Sequence, residues 1–309
     1  MDKKLKIWAP YFTRSEFGPL DPLLEKLEED GRFSVQRLNW TDHRPTLGEM
    51  IDEFKLNSPD AVFCCFDRPE MVPVAYASYH ADVPAVQVFA GDIAGGAYDD
   101  ADRFAISQYA SILFCSSMVQ KERLEKALEW KKGIGQFPRI CVSGPTHLDD
   151  MFWINPPETD ITYGKPGYLW PLKYDLVLYN PPSMLGIREI KEEVDEIFRL
   201  IGDGYAYWFA PNGDRHSDWL VDRVHKMMET SDKIRYFPSM ERLRFLGYLV
   251  NATRFIGNSS ALFYEGPALD VECVQVGVRN KYRETVRGKG GASRKIADEL
   301  YEFLKTKGG

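Results

Sequence analysis

Short apolar runs alternate with amphipathic stretches along most of this chain. In its first half the runs are continuous, without alternating polar positions, which is typical of strands covered on both faces of a sheet. They predict six strands: KLKIWAP (4–10), FSVQRLN (33–39), AVFCCF (61–66), AVQVFAG (85–91), SILFCSS (111–117) and RICVSGP (139–145). Stretches with apolar positions at helical spacing lie between them: PLDPLLEKLEED, TLGEMIDEFKLN, MVPVAYASYHA, DDADRFAISQYA and VQKERLEKALEWKK.

Residues 149–171 interrupt this rhythm with four prolines and two glycines, which indicates a linker. A second alternating series follows. Its predicted strands are DLVLYN, YAYWFAP, IRYFPS, RFIGNSS and CVQVGV, and its predicted helices are IREIKEEVDEIFRLIG, HSDWLVDRVHKMMET, MERLRFLGYLVNA, ALFYEGPALD and SRKIADELYEFLKTK.

Strands that alternate with helices favour βαβ units and parallel, doubly wound sheets. The sequence therefore predicts an α/β protein with two Rossmann-like domains facing a cleft. We place the N-terminal domain at 1–150, the linker at 151–170 and the C-terminal domain at 171–309.

Composition and charge narrow the class of protein. The 309 residues are enough for two ordinary domains, and the net charge of −7 argues against a broad nucleic-acid surface. No apolar stretch approaches the roughly 18 residues of a membrane span. The start MDKKLKIWAPYF lacks the features of a signal peptide, so we expect a cytoplasmic protein with no membrane contact.

The five cysteines fall in apolar, strand-like runs and show no CxxC or Cys/His spacing. That pattern predicts buried, reduced thiols and no structural zinc.

Ligands of open parallel sheets bind where the strands end, so the strand-to-helix junctions are the places to search. GNSSALFYEGP (257–267) follows a predicted strand. Gly257 permits a tight turn, and Asn258, Ser259 or Ser260 can cap the following helix and present its amides to a phosphate. Glu265 is expected about a turn and a half into that helix, where it can hold a ribose diol. The alternative is an ordinary cap with a solvated glutamate.

GVRNKYRE (277–284) places two arginines after the last predicted strand. Because Arg279 and Arg283 are four residues apart, a helical turn would bring both guanidinium groups to one side. Arginine suits recognition of a diphosphate. A solvated basic patch is the alternative.

In the first half, FDRPE (66–70) and GDIAGGAYDDADR (91–103) supply carboxylates from neighbouring strand ends. Clustered carboxylates can divide acid and base roles, and Arg68 would keep its neighbours ionised. The acids are Asp67, Glu70, Asp92, Asp99 and Asp100. Helix caps and a surface acid run are the alternative, which we favour for Asp99 and Asp102 but not for Asp67 or Asp92.

Seven segments, which follow one another in the family's order along the chain, resemble motifs of the UDP-N-acetylglucosamine 2-epimerase family, nearer its hydrolysing branch. TRSEFGPLDPLLEKL looks like the family's TRADYGLLxPLLKAI, FDRPEM like GDRFEM, AGDIAGGAYDDADRFAISQYASILF like GGEVTEGxIDESIRHAITKLSHLHF, VSGPTHLDDM like GxxGLDNI, LVLYNPPS like LVTYHPVT, FIGNSSALFYEGPALDV like VIGNSSSGIIEAPSFGV, and VGVRNKYRE like IGDRQKGRE. The resemblance covers nearly the whole chain and implies the two-domain GT-B architecture.

The resemblance also implies roles at matching positions. Catalytic carboxylates would be Asp67, Asp92 and Asp100. The nucleotide sugar would be bound by Arg14, Arg68, Glu70, Arg103, Asn258, Ser259, Ser260, Glu265, Arg279 and Arg283. The implied chemistry removes the C2 proton and eliminates UDP, without a cofactor or metal. The family also implies a homodimer.

Two departures affect the sugar chemistry. The family histidine of LVTYHPVT is Asn180 here, and an amide hydrogen-bonds but shuttles no proton. The family's HGGE is FAGD, so Phe89 replaces a second histidine and Asp92 replaces a glutamate. Three hypotheses remain. The first is a 2-epimerase, hydrolysing or not, that acts on UDP-GlcNAc or a relative, with Asn180 and the arginines stabilising the departing nucleotide. The second is a GT-B glycosyltransferase, for which even a nucleic acid is a possible acceptor, and the third is a non-catalytic nucleotide-sugar binder.

Overall fold

The computed structural model describes residues 3–12, 17–65, 68–95, 98–149, 151, 173–238, 240–288 and 290–307, with backbone alone for 17–19. The chain forms two compact units. Unit 1 contains the described residues of 1–92, 99–150 and 288–309, and unit 2 contains those of 93–98 and 151–287.

Unit 1 is built on a parallel sheet with the strand order β2-β1-β3-β4-β5-β6. Its strands are β1 (Leu5–Tyr11), β2 (Phe33–Asn39), β3 (Ala61–Cys65), β4 (Ala85–Val88), β5 (Ile112–Cys115) and β6 (Arg139–Val142). Its helices are α1 (Phe17–Glu29), α2 (Leu47–Asn57), α3 (Met71–His80), α4 (Asp99–Tyr109), α5 (Met118–Ala127) and α10 (Ala292–Lys307).

Unit 2 contains a second parallel sheet with the order β11-β10-β7-β8-β9. Its strands are β7 (Asp175–Leu178), β8 (Ala206–Phe209), β9 (Ile234–Phe237), β10 (Arg254–Gly257) and β11 (Glu272–Gln275). Its helices are α6 (Ile187–Ile201), α7 (Ser217–Thr230), α8 (Arg242–Val250) and the single turn α9 (Glu265–Ala268).

Both sheets are covered on their two faces because successive residues of each strand point to opposite sides. In β1, Trp8 packs into one buried cluster, whereas Ile7 and Ala9 pack into the other. In β8, Trp208 likewise packs into one buried cluster and Tyr207 packs into another. The predicted α/β class with two Rossmann-like sheets is confirmed, and all eleven predicted strands are present in the described residues.

The division into units differs from the predicted boundaries at the last helix. Although α10 follows the second sheet in sequence, it belongs to unit 1. Its apolar face joins the core that contains Leu24, and Asp149 caps it by accepting hydrogen bonds from the amides of Ala292 (3.0 Å) and Ser293 (2.6 Å). Amphipathic spacing predicts a buried face but does not say which sheet covers it.

Residues 93–98 also differ from the prediction, since they belong to unit 2. The carbonyl of Gly95 accepts a hydrogen bond from the amide of Asn280, and that of Ala94 accepts one from the amide of Tyr282, both at 3.4 Å.

All five cysteines are free, with Cys64, Cys65 and Cys115 buried and the other two half-buried. Within the described ranges, no helix combines the length and apolarity that a membrane crossing requires.

Candidate functional site

An asparagine cluster, formed by Asn180, Asn258 and Asn280, lies at the carboxyl edge of the second sheet. Asn180 and Asn258 follow the paired strands β7 and β10. The amide of Asn180 donates to Oδ1 of Asn258 (2.7 Å), and Nδ2 of Asn258 donates back to the carbonyl of Asn180 (2.9 Å). Asn258 is fully buried, so this exchange satisfies its amide and locks the two strand ends together.

The cluster continues to the loop after β11. Nδ2 of Asn280 donates to the carbonyl of Asn258 (2.6 Å), and Oδ1 of Asn280 accepts from Nε of Arg283 (2.8 Å). The Arg283 guanidinium also lies 5.7 Å from the centre of the Tyr264 ring. Arg283, one of the two predicted arginines, is therefore fixed beside the end of β10.

Arg279 reaches a different partner. Its guanidinium donates to Asp214, in the loop after β8, at 2.6 Å. The expected helical turn between the two arginines is wrong, because residues 279–283 form a turn and coil in which Asn280 has a left-handed φ of 62°. The hydrogen bonds described here give Arg279 and Arg283 different partners, Asp214 and Asn280.

Glu193 of α6 supports the loop that leads to Arg279. Its carboxylate accepts hydrogen bonds from the hydroxyl of Tyr179 (2.6 Å) and the amide of Val278 (3.0 Å). Burial raises the pKa of Glu193 above its ordinary range. A Cβ at Gly277 would lie 2.2 Å from this carboxylate, so only glycine fits there without a shift.

The helix predicted after GNSS is present only in part, because it is interrupted. The chain forms a 3₁₀ turn at Ser260–Leu262 and then starts a separate helix, α9. Ser259 caps the turn by accepting from the amide of Ala261 at 3.3 Å, and Ser260 is exposed. Pro267 is the physical reason for the break, because its ring cannot sit inside a continuing helix but is tolerated in a first turn. Glu265 accordingly begins α9 instead of lying midway along a helix.

Glu265 forms a largely buried ion pair with Arg242, with 2.8 Å between Nη1 and Oε1. The side chains are 7% and 18% exposed, respectively. Arg242 was absent from the residues predicted from sequence. A signal existed: Arg242 and Arg244 occupy the first turn of α8, where the helix dipole disfavours cations and a compensating carboxylate is expected.

In unit 1, Arg103 links the backbone of Asp92 to the side chain of Asp100, two residues of the predicted site. Nη1 of this buried arginine donates to the carbonyl of Asp92 (2.8 Å) and to the carboxylate of Asp100 (3.1 Å). Asp92 is 2% exposed and follows β4, whereas Asp100 lies in the first turn of α4. Arg103 thus links the segment that follows β4 to the first turn of α4.

The backbone before Asp92 is tightly constrained. Phe89 and Gly91 have left-handed φ values of 59° and 74°. The carbonyl of Gly91 accepts from Arg123 at 2.5 Å, and a Cβ at Gly91 would lie 2.7 Å from the carbonyl of Gln120. The Phe89 ring packs 5.3 Å from the His147 ring. The apolar replacement of a family histidine therefore has a packing role here.

After β3, Glu70 forms ion pairs with Arg68 (3.4 Å) and with Arg44 (2.9 Å). Arg44 was not predicted from sequence. Two residues of the predicted site, Arg14 and Asp67, lie outside the described residues. Among the residues that the structure describes, no group of three or more His, Cys, Asp or Glu side chains is arranged to hold a metal ion.

The model of the UDP-N-acetylglucosamine 2-epimerase family matches residues 43–306. A hydrolysing UDP-N,N'-diacetylbacillosamine 2-epimerase of Legionella pneumophila is 25% identical over 75% of this chain and 59% of its own length. The polysialic acid biosynthesis protein P7 of Escherichia coli is 26% identical over 81% of this chain and 64% of its own. The chain thus spans about three fifths of the length of these relatives.

Solved structures show the same fold. The UDP complex of the S. aureus MnaA protein gives a TM-score of 0.73 at 15% identity, covering 97% of both chains. The UDP-GlcNAc 2-epimerase from Neisseria meningitidis, bound to UDP-GlcNAc, gives 0.74 at 14% identity over 96% of this chain and 100% of its own. Both neighbours are of the GT-B type that the sequence predicts.

Proposed function

The chain belongs to the UDP-N-acetylglucosamine 2-epimerase family, and from that premise we propose that it is a hydrolysing 2-epimerase of UDP-GlcNAc or a related UDP-sugar. The observation that carries the proposal is the buried polar arrangement at the carboxyl ends of β7, β10 and β11. It holds Glu265, Arg279 and Arg283, the residues to which the resemblance assigns the nucleotide, by hydrogen bonds within the protein. The UDP-bound neighbours share this fold.

On the nucleotide side, the arginines would neutralise the diphosphate, because a guanidinium pairs well with phosphate oxygens. Glu265 would accept hydrogen bonds from the ribose hydroxyls. Arg242 would keep that carboxylate oriented, since the two groups already lie 2.8 Å apart. These roles of the arginines and of Glu265 use side chains that hydrogen bonds within the protein already hold in place without the nucleotide.

On the sugar side, the proposed reaction uses carboxylates and no cofactor. A carboxylate takes the proton from C2, the C2–H electrons form the C1=C2 double bond, and the C1–O bond breaks with its electrons leaving on UDP. Water then adds to C1 while C2 regains a proton on the opposite face. We assign these proton transfers to Asp67, Asp92 and Asp100.

Asn180 has a scaffold role in this mechanism. Its Oδ1 accepts from the amide of Asn212 at 2.8 Å, and its backbone is held by Asn258. It joins three strand ends, so we propose that it positions the nucleotide loops and that acids of unit 1 supply the protons.

The test is incubation of the protein with UDP-GlcNAc in deuterium oxide, without an acceptor, followed by NMR of C2–H and free UDP. Deuterium at C2 together with UDP release supports the hydrolysing epimerase. Binding without exchange, for UDP-GlcNAc and for UDP-N,N'-diacetylbacillosamine, would contradict it.

A GT-B glycosyltransferase is the second candidate, and the replacement of the family histidine by Asn180 favours it. Transfer of a sugar to an acceptor requires no proton shuttle at C2, so the loss of the family histidine would cost such an enzyme nothing. Product that forms only when an acceptor is present, with protium retained at C2, would identify this activity.

We expect Asp92→Asn to lower the rate of C2 exchange by about 100- to 10,000-fold, the usual loss for a general acid–base group. UDP affinity should stay unchanged, because the substitution leaves Glu265, Arg279 and Arg283, to which we assign the ribose and diphosphate, unaltered. Asp52→Asn, at an exposed position of α2, is the matched control and should leave both quantities at the wild-type level. Equal rates for the two variants would remove Asp92 from the mechanism.

A further inference from the structure

A cavity of about 660 Å³ lies in unit 1 at the amino ends of β4, β5 and β6. Pro84, Ser111 and Arg139, which lie at the starts of these strands, line it. Asp92 follows the other end of β4, so the cavity is at the opposite edge of the sheet from the candidate carboxylates. Its volume falls in the range of roughly 300–1,000 Å³ that is usual for small-molecule sites.

Lys131 is the unusual group in the lining. The residue is only 4% exposed, and its ammonium donates to the carbonyl of Gln108 and lies 5.7 Å from the centre of the Trp130 ring. Within the described part of the chain, no carboxylate lies within 4 Å of it, and desolvation alone lowers the pKa of Lys131. A buried cation is normally paired with an anion.

The other charges of the lining balance one another. Arg139 and Lys307 add two positive charges, and Asp82 contributes the one acid among the lining residues. Glu299 pairs with Arg139, whereas Lys307 lies 5.4 Å over the Phe303 ring. The cavity therefore retains one excess positive charge, equivalent to that of Lys131, after the Arg139–Glu299 pair is formed and Asp82 is set against Lys307.

Aromatic rings form one wall. Tyr79 and Tyr109 pack edge to face with ring centroids 5.9 Å apart, and Phe137 lies in the same lining. The Tyr79 hydroxyl donates to Gln136 at 3.3 Å, which orients its ring. Such a wall accommodates an apolar or ring-shaped group beside a charged one.

We propose that this cavity binds a small organic anion, with a carboxylate or phosphate on the Lys131 ammonium and an uncharged ring or chain against Tyr79, Tyr109 and Phe137. An ammonium has three donors, and the contacts within the protein use one of them. The anion supplies the missing counter-charge and accepts the remaining donors. This site is separate from the proposed nucleotide site and does not depend on the proposed function.

The experiment titrates the 309-residue protein by calorimetry with phenyl phosphate, benzoate, inorganic phosphate and uncharged phenol. Phenyl phosphate or benzoate should bind and phenol should not; inorganic phosphate should bind more weakly, because it lacks the ring. Comparison of the two aromatic anions distinguishes a phosphate site from a carboxylate site. Lys131→Met should weaken the better probe by about 10- to 100-fold, the contribution of one charge-assisted hydrogen bond.

Lys126→Met, at an exposed position of α5, is the control and should bind as the wild type does. Without probes, Lys131→Met should melt at or above the wild-type temperature, because it removes an uncompensated buried charge. Three results would each overturn the proposal. They are equal affinity of Lys131→Met and the wild type for the better probe, failure of both aromatic anions to bind, and a lower melting temperature of the probe-free variant.

Discussion

Gly257→Ala is expected to destabilise unit 2 by roughly 2–5 kcal/mol, from the combined cost of a left-handed backbone and an overpacked core. Gly257 ends β10 with φ at 143°. A Cβ there would lie 2.1 Å from the carbonyl oxygen of Leu178 and 2.7 Å from its carbonyl carbon. Both atoms belong to the backbone of the neighbouring strand β7, so no side-chain rotation relieves the clash.

The same change should also impair nucleotide binding. Gly257 precedes Asn258, and displacement of β10 from β7 would break the paired hydrogen bonds between Asn258 and Asn180. Urea unfolding, followed by circular dichroism and tryptophan fluorescence, measures the loss of stability, and calorimetry with UDP measures binding.

Gly213→Ala is the matched control in the same unit, because a Cβ at Gly213 meets no heavy atom within 4 Å. Its stability should remain within about 0.5 kcal/mol of the wild type. If Gly257→Ala unfolded at the same urea concentration as Gly213→Ala, the close approach of β10 to β7 would be refuted.

Arg242→Met is expected to cost about 3–5 kcal/mol of stability, the usual loss when one partner of a buried ion pair is removed. The Glu265 carboxylate is 7% exposed and would lose the guanidinium 2.8 Å away. If Glu265 holds the ribose as proposed, the affinity for UDP should fall as well, because the carboxylate is no longer oriented.

Two comparisons test this prediction. Arg223→Met makes the same substitution in a pair whose Asp195 is 58% exposed, and its cost should stay below about 1 kcal/mol. Adding Glu265→Gln to Arg242→Met should recover part of the lost stability, since it removes the stranded charge. Additive losses in the double variant would show that the two groups are not coupled.

Local sequence patterns predict most of the secondary structure of this chain. Continuous apolar runs such as AVFCC predict strands, and Thr46 with Glu49 forms the reciprocal cap that starts α2. Such signals depend on nearest neighbours and on burial of whole strands, so they can be recognised before any long-range contact is known. The strand-end rule likewise directs attention to Asn258, Glu265 and Asp92.

Where the predicted pairing of side chains failed, contacts distant in sequence were decisive. Arg279 was expected beside Arg283, but it pairs with Asp214, 65 residues away. Arg242 lies 23 residues from Glu265, so their pairing could not be found by spacing. Only the fold determines which arginine reaches which acid.

The sequence by itself determined the α/β class, the eleven strands and the family, because each depends on periodicity or on motif order along the chain. Tertiary structure alone decided that α10 joins unit 1, that Asn180 joins three strand ends, and that Lys131 is buried without a carboxylate partner in the described residues. The sequence shows that an apolar helix face or a buried polar side chain requires a packing or hydrogen-bonding partner. Which partner it receives depends on the three-dimensional arrangement of segments far apart in sequence.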